Sequence, residues 1–480
     1  MTHRAHPVMI IEFLWGFVYL LIIPLLRGVI TALHSGFSGW LSGAWVDILV
    51  LCLIIALAVA QWRCLSYRCL PDGVLFRQGI LRHSKSYISH EHIDTLAVTC
   101  PYYLKPFGAV RLRADTKAGR FDKTDVNITI YKRDADEIFA SREKKLNAEK
   151  AVPERKYTPK GIYIVALSAL LSNSFAGVIF FSTFISRTGK LLGKGFESLL
   201  FVRLKSFTRL VTFGIPPIAA VIAYILLFGW LFTFILNLFR HNDFCVQRNS
   251  GTLEITGGLF TNRKYSVDVR EINYIDIRQS ILTKLLGLYS VFVQAIGYGK
   301  EKDDVSAIIP ASVKDELTNN LTLLLPEFKP AKRQAKPNAG AIMRFIADTL
   351  YGCILLPSTT IILMLLLPKF SDIIGWVGFM ACIPAYLFLV VRIMDFTSSG
   401  IGRTGDIYTL KYSQGFHLHT IIMPLNKVAS ITLRQSVFQK MDNKCDILLF
   451  SISEKRRRHH IRNIDKTMAI QILHLQPQER

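Results

Sequence analysis

Hydrophobic and polar positions follow two different patterns along this chain. Long apolar runs come in pairs, at residues 8–26 and 44–61, 161–185 and 210–238, and 341–367 and 373–391. Each is near or above the ~20 residues that a helix needs to cross the hydrocarbon of a bilayer. After each pair the pattern changes to short apolar–polar alternation, cut by glycines and polar turns. Ile272-x-x-Ile275-x-Ile277 and Val428-x-x-Ile431-x-Leu433 are two such stretches. Period-two alternation with β-branched residues predicts half-buried antiparallel strands. Each polar segment closes with one more strand and a helix, near residues 134–150, 312–325 and 465–475.

The three polar segments are variants of one unit. Gly79 and Gly108 are 29 residues apart, and so are Gly258 and Gly287. Arg278-Gln279-Ser280 recurs as Arg434-Gln435-Ser436, followed in each case by a lysine, Lys284 or Lys440. In the first copy Thr99-Cys100-Pro101 occupies that slot. A period of this kind signals a repeated supersecondary unit. The expected organisation is a transmembrane hairpin (8–62), a β-rich module (63–147), a linker (148–160), a second hairpin with a basic amphipathic loop (161–239), a second module (240–325), a linker (326–340), a third hairpin (341–394) and a third module (395–476). The Pro-, Lys- and Ala-rich linkers read as polar tethers.

Seven or so short strands followed by a helix form the plan of a pleckstrin-homology-like (PH-like) domain. The stretch from Ile272 to Gly287, with its R-Q-S-x-L-x-K-L-L-G-L ending, and residues 428–441, which keep most of it, carry a more specific resemblance. With the hairpin-plus-module unit, they resemble the YdbS/YdbT-like family of bacterial membrane proteins with PH-like domains. The resemblance implies a membrane protein with six transmembrane helices in three hairpins, each followed by a cytoplasmic PH-like antiparallel β-sandwich with a C-terminal helix. It carries over no catalytic residues, and it implies a protein partner of similar PH-like membrane build.

Composition supports this class. Hydrophobic residues make up 51% of the 480, and charged residues 19%. The mean hydropathy is +0.32. This excludes a disordered chain and argues against a purely soluble enzyme. The formal net charge is +23. Residues 31–43 contain no Lys or Arg, whereas residues 63–160 are rich in both. The positive-inside rule therefore places the modules and both termini on the cytoplasmic face of a bacterial inner membrane. The basic loop 186–209 runs against that rule. Its interleaved leucines and phenylalanines read as a helix lying on the outer leaflet. Residues 1–7 are weakly basic, and the apolar run behind them is too long for a signal-peptide core, so it reads as a retained span.

Candidate chemistry is sparse. The sequence contains no Walker motif, HExxH, GxSxG or EF-hand loop. Gly297-Tyr298-Gly299 reads as a hairpin turn. None of the eight cysteines forms a CxxC pair, so no zinc site and no cofactor is expected. His90 with His92, and His417 with His419, would each share a strand face, but no carboxylate or cysteine cluster supports a metal there. Glu12, Arg27, Asn173, Asn237, Arg344 and Asp348 lie in or near apolar runs. They keep a transporter or channel component open as the alternative function. Basic patches are the remaining feature: Lys455, Arg456, Arg457 and Arg458 with Arg462, then Arg263 with Lys264, and Arg82 with Lys85. Spread over three membrane-tethered units without a nucleic-acid motif, they point to anionic lipid headgroups or a protein partner. The expected function is a non-catalytic, membrane-tethered adaptor or scaffold.

Overall fold

A computed structural model describes residues 3–22, 44–79, 83–116, 124–146, 155–171, 217–298, 307–453 and 458–475. The first copy of the repeat contributes β1 (His3–Arg4), α1 (Met9–Gly16), α2 (Ala44–Cys64), β2 (Ser66–Leu70), β3 (Gly73–Gln78), β4 (Ser84–Ser89), β5 (Ile93–Cys100), β6 (Ala109–Thr116), β7 (Val126–Tyr131) and α3 (Lys132–Leu146). The second contributes β8 (Arg155–Tyr157), α4 (Gly161–Leu171), α5 (Pro217–Arg240), β9 (Cys245–Asn249), β10 (Thr252–Gly257), β11 (Asn262–Asp268), β12 (Ile272–Ser280), α6 (Ile281–Leu285), β13 (Leu288–Ala295), β14 (Ala307–Val313) and α7 (Lys314–Leu324). The third contributes α8 (Ile342–Leu366), α9 (Ser371–Ser398), β15 (Gly400–Thr404), β16 (Ile407–Gln414), β17 (His417–Pro424), β18 (Val428–Arg434), α10 (Val437–Met441), β19 (Lys444–Ser451), β20 (Arg458–Asp465) and α11 (Lys466–Leu473).

The six-helix expectation is corrected. Among the described residues, two helices are long and apolar enough to cross a membrane, at Ala339–Leu366 and Val377–Ser398. In the first apolar run, α1 covers only Met9–Gly16 before a 3-10 turn at Val18–Leu21 interrupts it. Eight residues rise about 12 Å, far short of ~30 Å of hydrocarbon. Among the described residues, Ile48–Cys64 of α2 and Ile225–Arg240 of α5 are shorter apolar stretches, and most of the run that opens with α4 lies outside the described residues. The basic loop 186–209 lies outside the described residues. Among the described residues the modules are thus built on β-sheet, with one clear pair of spanning-length helices beside them.

That pair, α8 and α9, keeps its apolar side chains outward: only 11% and 6% of the two apolar windows are buried. Ile354, Ile361, Leu365 and Phe379 are exposed, as lipid contact requires and a soluble core forbids. Pro357 lies inside α8. Lacking an N–H, it leaves the carbonyl of Cys353 without its helical donor. The Tyr386 hydroxyl of α9 donates to that carbonyl at 3.5 Å. A Cβ added at Gly378 would overlap the side chain of Thr360, so glycine there sets how closely the two helices approach.

The β-strands form sheets of order β1-β2-β3-β4, β7-β6-β5-β11-β10-β9-β8, β14-β13-β12-β17-β16-β15 and β18-β19-β20. The two large sheets each join two copies of the repeat. β5 of copy one pairs with β11 of copy two, and β12 of copy two pairs with β17 of copy three, all antiparallel. This corrects the half-buried expectation for β12, whereas β18 keeps an alternation of half-buried and exposed positions. β12 is paired on both edges, and it is buried throughout Ile272–Ile277, including the polar Asn273 and Asp276, with Tyr274 in the core of copy three.

The chain forms two compact units. The first comprises residues 1–155, 246–271 and 296–302, and the second residues 156–245, 272–295 and 303–480. In the first unit, Tyr67, Val74 and Phe76 from one sheet meet Leu96, Leu112 and Ile130 from the other, closed by Ala135, Ile138 and Phe139 of α3. In the second, Tyr408, Leu410 and Ile421 meet Ile447, Leu449 and Ile461, closed by Ala469 and Leu473 of α11. Two layers of antiparallel strands with a helix closing one end are the PH-like plan.

Each joint between copies carries a buried polar tie. Arg142, on the core face of α3 one turn beyond Ile138 and Phe139, is 1% exposed. Its guanidinium donates to the Ser266 carbonyl (2.9 Å) and hydroxyl (2.8 Å) on β11 and to the Ile93 carbonyl (2.7 Å) on β5. Burial pulls its pKa down to about 10, against the pull of Asp268, Asp94 and Glu254. It therefore stays charged at neutral pH. At the second joint, Asp276 of β12 is fully buried and accepts from His419 Nδ1 of β17 (2.9 Å) and Arg278 Nε (2.6 Å). Burial alone would raise the Asp276 carboxyl. The hydrogen bond from His419 and the charges of Arg278 and His419 overcome it and hold the pKa at about 2.

The second linker is not a loose tether. Its Ala335 bridges Ile401 on β15, with Ala335 N and Ile401 N each donating to the other's carbonyl at 3.0 Å. Gly402 leaves room for the Lys332 carbonyl, which any side chain there would strike.

Candidate membrane-facing surface

The Arg-Gln-Ser slot does the same structural task in copies two and three. Gln279 Nε2 donates to the carbonyl of Leu288 (3.1 Å), and Gln435 Nε2 to that of Lys444 (2.6 Å). Each amide thus clamps the strand that follows the turn. The serine then caps a one-turn helix. Thr283 N donates to Ser280 Oγ (3.2 Å), and Gln439 N to Ser436 Oγ (3.3 Å). Gln439 Oε1 accepts in return from Ser436 N (2.9 Å), completing a capping box. The helix stops at a left-handed residue: Gly287 (φ 65°), Asn443 (φ 51°), and in copy one Gly108 (φ 62°). Gly79 and Gly258, in the earlier hairpin turns, also have positive φ. These conformations favour glycine or asparagine.

The turn so built pushes apolar side chains outward. Leu285 and Leu286 are exposed in copy two. In copy three, Val437, Phe438 and Met441 are 77%, 73% and 81% exposed. In copy one, Tyr102, Tyr103 and Phe107 are exposed in the corresponding turn.

In each copy this tip sits beside an apolar helix. Arg111 contacts the Tyr103 hydroxyl (3.5 Å) and is ion-paired with Glu12 of α1, which also accepts from Thr129 Oγ1 (3.1 Å). Lys284 of α6 lies within electrostatic reach of Asp395 near the end of α9; burial lowers its pKa, and Asp395 opposes that shift. Arg344, at the start of α8, donates to Asn463 Oδ1 (3.0 Å) and pairs with Asp442 (3.2 Å) just past α10.

Arg344, Arg462, Asp442, Asp446, Phe438 and Met441 are among the residues lining an open cleft of about 590 Å³ in the third copy. Burial would raise the Asp446 carboxyl. Donors His460 (3.2 Å), the Asn463 N–H (2.8 Å) and Gln439 (2.7 Å) outweigh it and hold it below the usual carboxylate range. The cleft therefore combines fixed charge, two guanidinium groups and exposed apolar side chains at the foot of a membrane-length helix.

The basic residues singled out from the sequence are not gathered in one place. Lys455, Arg456, Arg457 and Arg82 lie outside the described residues. Arg458 is exposed at the start of β20, while Arg462 is half-buried in the cleft. Lys85 is exposed on β4. Arg263 and Lys264 are half-buried on β11. Lys264 pairs with Glu254 (3.4 Å) and lies over the Phe139 ring, so it belongs to the joint between copies.

His419 and His459 serve as hydrogen-bond partners. His419 binds Asp276, and His459 binds the Tyr412 hydroxyl (2.8 Å). Among the described residues, no group of three or more His, Cys, Asp or Glu side chains is arranged to hold a metal ion. Glu12, a candidate for a transport path, is committed to Arg111 and Thr129. Asn173 and Arg27 lie outside the described residues. Sequence reasoning passed over Arg142 and Asp276, and it weighed His419 only for a metal, not as the partner of Asp276.

The family model described as Bacterial PH domain matches residues 16–145 and 199–322, more than half of the chain. The chain belongs to that family and is a membrane-associated protein with PH domains. Among curated proteins it is similar to the UPF0699 transmembrane protein YdbT of Bacillus subtilis, with 24% identity over 314 residues. The match covers 61% of this chain and 62% of that protein. No solved structure matches.

Proposed function

We propose that the protein is a non-catalytic adaptor that holds its PH-like modules against an anionic lipid surface on the cytoplasmic face of a bacterial inner membrane. Its sheet edges then stay available to a protein partner. One observation carries the reading: the turn after the Arg-Gln-Ser slot exposes apolar side chains in every copy, always beside an apolar helix. An exposed apolar tip so placed is stabilised by entering the headgroup region, at roughly 25 cal/mol per Å² of apolar surface removed from water. Each nearby Lys or Arg adds ~1 kcal/mol against an anionic leaflet. Tethering raises the local lipid concentration, so weak contacts suffice.

The test is depth measurement on the full chain in liposomes. A dye on Phe438→Cys should be quenched by lipid-borne quenchers and shielded from aqueous iodide, more strongly when the vesicles contain anionic lipid. A dye on Asp406→Cys, in the β15–β16 turn, should show the opposite. Equal access to iodide at both positions would reject the reading.

A further inference from the structure

The two joints between copies share one register. At the first, Thr99 faces Arg263, Ala97 faces Tyr265 and Leu96 faces Ser266. At the second, Arg278 faces His419, Asp276 faces Ile421 and Ile275 faces Ile422. Aligning the copies through the Arg-Gln-Ser slot and the paired glycines makes these the same pairs of repeat positions. The strand that opens the second half of one copy always receives the third strand of the next copy.

The rule leaves one strand over at each end of the array. β18 opens the second half of copy three, and β4 is the third strand of copy one. Among the described residues, β18 pairs only with β19, and β4 only with β3. Their surfaces show what is missing. Asn273, Tyr274 and Asp276 are buried on β12, but their counterparts Ala429, Ser430 and Thr432 are exposed on β18. Tyr265 and Ser266 are buried on β11, but Ser86 and Tyr87 are exposed on β4.

We infer that β18 of one molecule pairs with β4 of a second copy of this chain, antiparallel, in the register already used twice within it. That register sets Arg434 opposite Ser84, Leu433 opposite Lys85, Thr432 opposite Ser86 and Ile431 opposite Tyr87. No two like charges face each other in these four pairs. Such a contact is heterologous, because the two surfaces differ, and it builds a ring or an open row. Backbone pairing supplies the attraction and the alternating side chains supply the register. The inference stands apart from the lipid-surface reading, since it concerns the sheet edges and not the tips.

The experiment uses two differently tagged full-length chains in the same membrane, one carrying Thr432→Cys and the other Ser86→Cys. Mild oxidation should give a product of doubled mass that contains both tags and disappears on reduction. Thr432→Cys with Tyr87→Cys should give little of it, because a one-residue slip turns the second side chain to the other face of the sheet. Chains without added cysteines control for the native thiols. Absence of the two-tag product, equal yields from both pairings, or a product of Thr432→Cys with some other membrane protein alone would each overturn the inference.

Discussion

His419 donates through Nδ1 to the carboxylate of Asp276 across 2.9 Å, and the two residues come from different copies of the repeat. Both are fully buried at the side chain. Removing one partner of a buried pair strands the other, at a typical cost of ~3–5 kcal/mol. Asp276→Ala should therefore lower the unfolding midpoint of the full chain clearly. Joint replacement of Asp276 and His419 by leucine should recover much of the loss. Thermal unfolding in detergent checks both.

The same pair fixes a pH dependence. The Asp276 carboxyl lies near 2 in the folded protein, against ~3.9 when unfolded. A depressed carboxyl stabilises the fold fully above the unfolded value and loses that contribution as pH falls through the folded one. The stabilisation should be intact above about pH 4 and largely gone near pH 2. Asp276→Asn should flatten that part of the stability profile.

Arg142 offers a comparison of shape with charge. Its fork meets acceptors on two strands from two copies. Lysine keeps the charge but cannot reproduce a planar, multi-donor contact. Arg142→Lys should thus destabilise nearly as much as Arg142→Met, on the order of 3 kcal/mol from buried acceptors left unpaired. Chemical denaturation of the three proteins measures it.

The membrane-length helices give a packing test. Gly378→Leu would drive a side chain into Thr360. Cysteine crosslinking between α8 and α9 should fall sharply in that variant. Gly352→Leu, at a position with open space around it, should leave crosslinking unchanged.

Much of the β-fold was legible in the sequence because its signals are local. The glycines spaced 29 apart mark turns that need positive φ. The Arg-Gln-Ser slot marks a strand end, a clamp and a helix cap within a few residues. What the local signals could not carry was partner choice. Ile275-x-Ile277 reads as one buried face and one wet face, yet Asp276 between them is buried, because that face, shared with Tyr274, packs into the core of copy three, where Tyr274 meets His459. Arg142 had a faint signal, a cation at a core position of an otherwise apolar helix stripe. The hairpins were overcounted because apolar length alone does not register a break such as the turn after Gly16. The exposed apolar tips were passed over for the opposite reason. Their apolar residues look like core until the cap and the left-handed stop show which way they point.

The sharing of sheets between copies is tested most directly by residue-resolved hydrogen exchange of the full chain in lipid nanodiscs, read along β12. A strand hydrogen-bonded on both sides should protect every amide from Ile275 to Ser280. If the second copy were a free-standing module with β12 at its edge, protection would alternate, and every second amide in that stretch would exchange fast.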